Sequence, residues 1–271
     1  MKKNKYKILV LSDLKKSTSN TLKSSVSLAK IINGEITCFH VKKPIDILEK
    51  DNQLSAMRTI NQESNITDKT IQDVIAPISK DYGVNINYRF VFGNLKHEIE
   101  KHMTEQQPDI IVLGKRKSKS MHVVGDKLAH FVLKKHKGVV MIAANENALE
   151  PNKEIALGIL NGMEHSFNLE FAEDLLAHTQ TPLKSFRIVK NATVLNKMDA
   201  SSNNKTIEYI FEEGDNAINN LSGYLSKNNI NLLCMDRGKG KANSISSDIK
   251  DAINTFNVSL LLTSKQKYSV Q

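Results

Sequence analysis

The sequence predicts an α/β protein in which parallel strands alternate with helices and the same plan occurs twice along the chain. Short, almost wholly apolar segments alternate with segments of helical periodicity, as expected for strands that are buried on both faces. Residues 231–255 align without a gap on residues 109–133, which indicates an internal duplication. We therefore expect two domains, residues 1–145 and 153–271, joined by the polar linker 146–152.

Five strands are predicted in the first half, because five apolar segments are separated by stretches with the period of helices. Strands that alternate with helices in this way pair in parallel through right-handed crossovers. The strands are expected at residues 8–11, 36–41, 84–92, 109–113 and 139–143, and the last two helices of this half over 95–103 and 126–135.

The first two helices have less regular boundaries. Residues 17–20 offer side-chain oxygens that can cap the first helix, and Gly34 is expected to end it. The second helix is expected to start at residue 67, which leaves residues 44–66 unassigned. Pro77 should kink or restart that helix, because proline lacks the amide hydrogen that a helix interior needs.

The second half repeats the plan in a shorter form. Its apolar segments follow in the same order, and the basic residues after the fourth strand recur at the matching place. Three matches carry the duplication: residues 110–113 with 232–235, residues 115–117 with 237–239, and residues 8–11 with 155–158.

Charge is shared unevenly between the two halves. The net charge is +9, and residues 1–145 contain 25 Lys and Arg against 14 Asp and Glu. Such a bias attracts anionic partners, but the lysines are scattered with few aromatic residues among them, unlike a nucleic-acid-binding face. Two interpretations stay open, a solvated basic surface and a surface for phosphate-rich ligands, and we do not expect nucleic acid as the partner.

Hydrophobic segments and cysteines indicate a cytoplasmic protein. The longest apolar run, residues 139–144, is far shorter than the roughly 20 residues that cross a bilayer. The two cysteines, Cys38 and Cys234, lie in strand-like segments and suggest no disulfide framework. We expect no membrane partner.

A ligand is expected beyond the carboxyl ends of the strands, where the winding of an open parallel sheet reverses. If the first and fourth strands are neighbours there, Asp13 faces the segment from Gly114 to Gly125. Glycines let backbone amides approach a phosphate, and the helix that follows this segment would present its amino terminus.

Five segments carry a resemblance to a known family: Lys7-Ile-Leu-Val-Leu-Ser-Asp13, Phe39-His-Val41, Gly93, Pro108-Asp-Ile-Ile-Val-Leu-Gly114 and Val139-Val-Met-Ile142. In this order and spacing they make the first half resemble the universal stress protein family, and the whole chain resembles the tandem two-domain members. The resemblance implies two flavodoxin-like (Rossmann-like) domains. Each would have a five-stranded, mainly parallel sheet of order 3-2-1-4-5 with helices on both faces, and the domains would pair through their fifth strands.

The resemblance also implies a site for ATP, which one branch of the family binds. Asp13 and Val41 match the positions that hold adenine and ribose. Gly114 and Gly125 match the ends of the phosphate-binding motif, in which Gly, two residues, Gly, nine residues and Gly precede Ser or Thr.

The middle of that motif departs from the pattern. Lys117 stands where the second glycine belongs, seven residues separate it from Gly125, and Asp126 replaces the hydroxyl residue and is also a suitable helix cap. Lys115 and Lys117 can bind phosphates through their side chains, or they belong to a solvated basic turn. In the second half, Leu160 or Asn161 takes the place of Asp13, so we expect nucleotide only in the first domain.

Motifs of catalysis and of metal binding are missing from the sequence, which contains neither a P-loop nor a nucleophile elbow. We expect a non-catalytic stress-response protein that acts by binding and signalling, with weak or lost ATP binding in its first domain. The alternative is a structural or protein-interaction scaffold that binds no nucleotide. In both cases the two domains pair within the chain, and a homo-oligomer or an unknown protein partner stays open.

Overall fold

The structure of the protein is a computed structural model that describes residues 5–43, 53–115, 127–161, 169–189, 206–214, 216–237 and 247–263. The strands are β1 Tyr6–Ser12, β2 Gly34–Lys42, β3 Ile86–Phe92, β4 Ile110–Gly114, β5 Val139–Ala143, β6 Leu157–Leu160, β7 Leu183–Val189, β8 Thr206–Glu212, β9 Leu232–Asp236 and β10 Ser259–Thr263. The helices are α1 Thr18–Ile32, α2 Gln53–Tyr82, α3 Leu95–Gln106, α4 Lys127–Lys135, α5 Leu169–Ala177, α6 Ala217–Lys227 and α7 Ser247–Thr255.

The described strands form one 10-stranded sheet in the order β3-β2-β1-β4-β5-β10-β9-β6-β7-β8. Neighbouring strands are parallel within each half, and β5 pairs with β10 in the antiparallel sense, with Met141 opposite Leu261. Each half therefore has the order 3-2-1-4-5, and the two halves meet through their fifth strands. The predicted α/β fold is confirmed.

Helices cover both faces of the sheet and divide the core into two layers. Within β1, Ile8 and Val10 pack into the layer formed with α1, α2 and α5, whereas Leu9 and Leu11 pack into the layer formed with α3, α4, α6 and α7. This alternation follows from the two-residue period of a strand. All four side chains are buried, which explains why the strand has an uninterrupted apolar sequence.

Helix α1 is bounded by residues other than those predicted. Ser17 precedes its first turn, but the Ser17 side chain makes no capping hydrogen bond. At the other end the left-handed residue is Asn33, with φ of 54°, and its N–H donates to the Ala29 carbonyl. Gly34 is already the first residue of β2. The helix ends on asparagine because asparagine also adopts this conformation at low cost.

Helix α2 is the largest departure from the predicted elements. It begins at Gln53, well before residue 67, and passes through Pro77 without a break, so the predicted restart is wrong. Ile75 and Ile78 are buried on either side of the proline, whereas Pro77 itself and Asp73, whose carbonyl loses its helical donor, are exposed. Solvent can therefore satisfy the lost hydrogen bond while packing holds the helix together.

Strand pairing corrects the alignment of the two halves. Ile8 is paired with Ile110 in the first half, and Leu157 is paired with Leu232 in the second. Because Ile110 and Leu232 are equivalent in the gap-free alignment, the counterpart of Ile8 is Leu157. The predicted match with Ile155 is therefore wrong by two residues, since an apolar run by itself does not fix the register of a buried strand.

The predicted linker packs against the first half. Leu149 is buried, and its N–H donates to Ser24 Oγ at 3.0 Å. Farther along, the Lys30 ammonium donates to Asn152 Oδ1 at 2.7 Å. These contacts tie Leu149 and Asn152 to helix α1, whereas Asn147 donates to the Asn257 carbonyl of the second half at 2.9 Å.

The histidine after helix α4 makes stability depend on pH. Burial lowers the pKa of His136 from 6.5 to about 4. The unfolded chain therefore binds more protons between these values, so the contribution of His136 is present above pH 6.5 and is lost as the pH falls towards 4. We expect this residue to reduce the free energy of unfolding by up to about 2 kcal/mol between pH 7 and pH 5.

Urea unfolding at the two pH values measures this effect, with His136→Gln as the control that cannot titrate. The variant should show a smaller loss than the parent. Equal losses in both proteins would contradict the assignment.

Candidate functional site

A cleft opens where the direction of winding reverses, between the carboxyl ends of β1 and β4. Leu11 is paired with Leu113 across these two strands, so the residues that follow each of them lie side by side. An open doubly wound sheet binds its ligands at this position. The cleft has about 350 Å³ of empty space, part of it open to solvent, and is lined by Leu11, Ser12, Asp13, Ser17, Thr18, Thr21, Leu113, Gly114 and Leu128.

The turn after β1 fixes the polar groups on one side of the cleft. Ser12 Oγ accepts the N–H of Leu14 at 3.1 Å and lies 3.2 Å from Thr18 Oγ1. Asp13 Oδ1 accepts the N–H of Lys15 at 3.1 Å. Leu14 has a φ of 55°, a costly conformation for a non-glycine residue that these side-chain hydrogen bonds help to hold. A hydroxyl and a half-buried carboxylate are thus placed in advance of any ligand.

On the other side, Gly114 permits a very close approach of helix α1 to β4. A Cβ atom at this position would lie 2.5 Å from Thr21 Oγ1, closer than real contacts allow. The Thr21 hydroxyl cannot turn away freely, because it donates to the Ser17 carbonyl at 3.0 Å. The glycine that the sequence marks as a phosphate-loop residue is therefore also required by packing.

Strand β2 supplies the next polar layer beside the cleft. His40 is paired with Ser12, and its Nδ1 donates to the Ser12 carbonyl at 2.9 Å. Burial lowers the pKa of His40, which favours the neutral ring. Val41 follows, half-buried against the core and paired with Val91 of β3. It occupies the strand next to Asp13, beside the residues that line the cleft.

One of the predicted loop cations, Lys115, lies in the described part of the chain. Its ammonium donates to the carbonyl of Phe256 at 2.5 Å, so it lies against the second half. Burial lowers the pKa of Lys115. Lys117 and Gly125, like the predicted cap Asp126, lie outside the described residues. Asp13 and Gly114 are the two predicted site residues that the structure brings into one cleft.

Hydroxyl groups of helix α1 are the site residues that the sequence prediction missed. Ser17, Thr18 and Thr21 all line the cleft. The helix start is rich in Ser and Thr, but these residues are equally typical of helix caps, so the sequence pattern alone does not distinguish the two roles.

Burial and spacing limit the chemistry of the cysteine on β2 and of the metal-ligating side chains in the part of the chain that the structure describes. Burial raises the pKa of the Cys38 thiol to about 12, so it is not a nucleophile at neutral pH. In the same residues, His, Cys, Asp and Glu side chains nowhere group in threes that could hold a metal ion. None of the described helices is long and apolar enough to cross a membrane.

In the second half, the side chain of Asn161 forms a hydrogen bond at the end of the equivalent strand, β6. By the corrected register, Leu160 is the counterpart of Leu11, and Asn161 is the counterpart of Ser12. The prediction that Leu160 or Asn161 takes the place of Asp13 is therefore wrong. Asn161 Oδ1 accepts the N–H of Ile188 at 3.0 Å, which fixes the end of β6 against β7.

The doubly wound sheet and the cleft at its carboxyl edge define a flavodoxin-like α/β protein built from two tandem halves. The model of the Universal stress protein family matches residues 6–142. The chain belongs to the universal stress protein family. No curated protein sequence matches it significantly.

Two solved structures are similar over almost the whole chain. A universal stress protein from Archaeoglobus fulgidus DSM 4304 aligns with 97% of this chain and 97% of its own, at 16% identity and a TM-score of 0.64. A functionally unknown protein from Pseudomonas aeruginosa PAO1 aligns over 96% and 92%, at 11% identity and a TM-score of 0.62. At such identities these similarities concern the fold alone.

Proposed function

We propose that this chain is a cytoplasmic stress-response protein that binds an adenine nucleotide weakly in the cleft of its first half and acts by binding and signalling, without catalysis. The observation that carries the proposal is that Asp13 and Gly114 line one cleft at the switch point of the sheet. A carboxylate at this edge can accept the hydroxyls of a ribose.

The roles of the remaining residues follow from their places around the cleft. Ser12 and Thr18 offer hydroxyl donors, and Val41 offers an apolar edge for a base. Gly125 and Lys117 would complete the phosphate site from the loop. Binding is expected to be weak because Lys115, the cation directly after Gly114, already has a carbonyl partner in the second half.

Replacing Asp13 with alanine tests the site. We expect Asp13→Ala to weaken ATP binding about tenfold in titration calorimetry, because hydrogen bonds to a charged group contribute roughly 1.5–3 kcal/mol. Asp109→Ala is the matched control, since this exposed carboxylate accepts the Lys7 N–H at the opposite edge of the same two strands. Equal affinity in the parent and in Asp13→Ala would refute the proposed site.

A second candidate function is a scaffold that binds proteins and no nucleotide. It is favoured by the engagement of Lys115, a predicted phosphate-binding residue, with the Phe256 carbonyl of the second half. Extraction of the native protein followed by mass spectrometry distinguishes the two functions. A stoichiometric adenine nucleotide would exclude the scaffold, whereas absence of nucleotide together with absence of heat on titration with ATP would support it.

A further inference from the structure

Two basic residues at matching positions each extend their side chain from their own half of the molecule to the other half. Lys115 follows β4, and Arg237 follows β9 at the equivalent place in the gap-free alignment. Their backbone amides donate to the carbonyls of Ala143 at 2.8 Å and Thr263 at 2.7 Å. The two side chains therefore start from equivalent backbone positions on either side of the β5–β10 pair.

Lys115 reaches the end of helix α7 in the second half. Its ammonium donates to the carbonyl of Phe256, the residue directly after that helix. The N–H of Phe256 donates to the Ala252 carbonyl at 3.0 Å, so Phe256 continues the last helical turn. Carbonyls at such an end lack helical donors and carry the negative pole of the helix, so a cation stabilises them.

Arg237 does the same for helix α4 in the first half. Its guanidinium donates to the carbonyl of His136 at 2.9 Å, to that of Leu133 at 3.2 Å and to that of Gly138. His136 directly follows α4, and its N–H donates to the Val132 carbonyl at 2.8 Å, as the N–H of Phe256 does in α7. The two caps are reciprocal, because each half supplies the cation for the other half's last helix.

The two caps differ in strength and in position. Arg237 contacts three carbonyls through a rigid planar group, whereas Lys115 contacts one through a flexible stem. Lys115 also directly follows Gly114, which lines the cleft. Arg237 is thus suited to a permanent contact, and Lys115 is within one residue of the cleft.

The geometry points to Lys115 as a releasable cap, whose ammonium either holds the end of α7 or binds the phosphate of a ligand in the cleft. Phosphate in the first half would then loosen the last helix of the second half, while Arg237 keeps the halves paired. This inference rests on the proposed function, because it needs an anionic ligand at the cleft. It adds a means by which a ligand bound in the cleft of the first half changes the stability of helix α7 in the second half.

Hydrogen exchange of the full chain, followed by mass spectrometry, tests the cap without ligand. In Lys115→Met, peptides that cover 247–256 should exchange faster than in the parent by about threefold or more, because local opening becomes easier. Arg237→Met is the matched control and should accelerate exchange in 127–136 instead. Unchanged exchange of 247–256 in Lys115→Met would overturn the cap.

The same measurement with ligands tests the release. Saturating ATP should raise exchange of 247–256 in the parent towards the value of Lys115→Met, and adenosine, which has no phosphate, should leave it unchanged. ATP that binds by calorimetry without this change would overturn the release while leaving the proposed function in place. Absence of ATP binding would overturn both, and the ligand-free comparison would still decide whether Lys115 caps α7.

Discussion

Phe186→Ala is expected to lower the free energy of unfolding by about 3–5 kcal/mol, the usual cost of deleting a fully buried aromatic ring. The Phe186 side chain is fully buried in the second half. Its ring centroid lies 5.7 Å from that of Tyr209 on β8 and 5.7 Å from that of Tyr224 on α6, so two other elements pack on this one residue. The cavity should be large because rings held by strand β8 and helix α6 cannot collapse into it.

Urea unfolding followed by circular dichroism measures this loss. Phe131→Ala is the matched control, because Phe131 is half-buried on helix α4 and should cost about 1 kcal/mol. Similar losses for the two variants would show that Phe186 is not the centre of the second half's core.

Gly114→Ala is expected to cost about 1–2 kcal/mol and to weaken ATP binding, because the new methyl group must displace Thr21 at the mouth of the cleft. The clash is with a single side-chain atom, Thr21 Oγ1, so it can be relieved. In the double variant Gly114→Ala with Thr21→Ala, most of the lost stability should return. A double-mutant cycle by thermal or urea unfolding isolates this coupling.

The control for backbone effects is Gly223→Ala in helix α6, where a Cβ atom would meet nothing within 4 Å. That change should be neutral or stabilising by up to about 1 kcal/mol, as for other glycines in helix interiors. Losses that simply add in the double variant at Gly114 and Thr21 would refute the close approach of α1 to β4.

The strands were predictable because burial on both faces leaves an almost uninterrupted apolar sequence, as in 8–11 and 139–143. The first half of helix α2 was not, since polar residues interrupt its apolar residues and the apolar period becomes regular only at Ile71. The register between the halves also escaped prediction, because Ile155 and Leu157 are equally apolar and only their pairing with neighbouring strands distinguishes them.

The candidate site also has a part that the sequence predicts and a part that it does not. Asp13 and Gly114 could be placed in one cleft because the carboxyl ends of adjacent parallel strands meet at one edge. The partner of Lys115 could not, since Phe256 is 141 residues away along the chain and is reached only across the pairing of β5 with β10. Nothing in a local pattern of charges distinguishes a cation for phosphate from a cation for a distant helix end.

The antiparallel pairing of β5 with β10 has a consequence for how far the two halves can diverge. In a two-fold dimer of identical chains, equivalent positions of the two subunits hold the same amino acid, so every substitution occurs twice. Here both halves belong to one polypeptide, so equivalent positions can hold different amino acids, as they do with Lys115 and Arg237. Dilution cannot separate these partners, and each side is free to specialise, as the single carbonyl contact of Lys115 and the three carbonyl contacts of Arg237 illustrate.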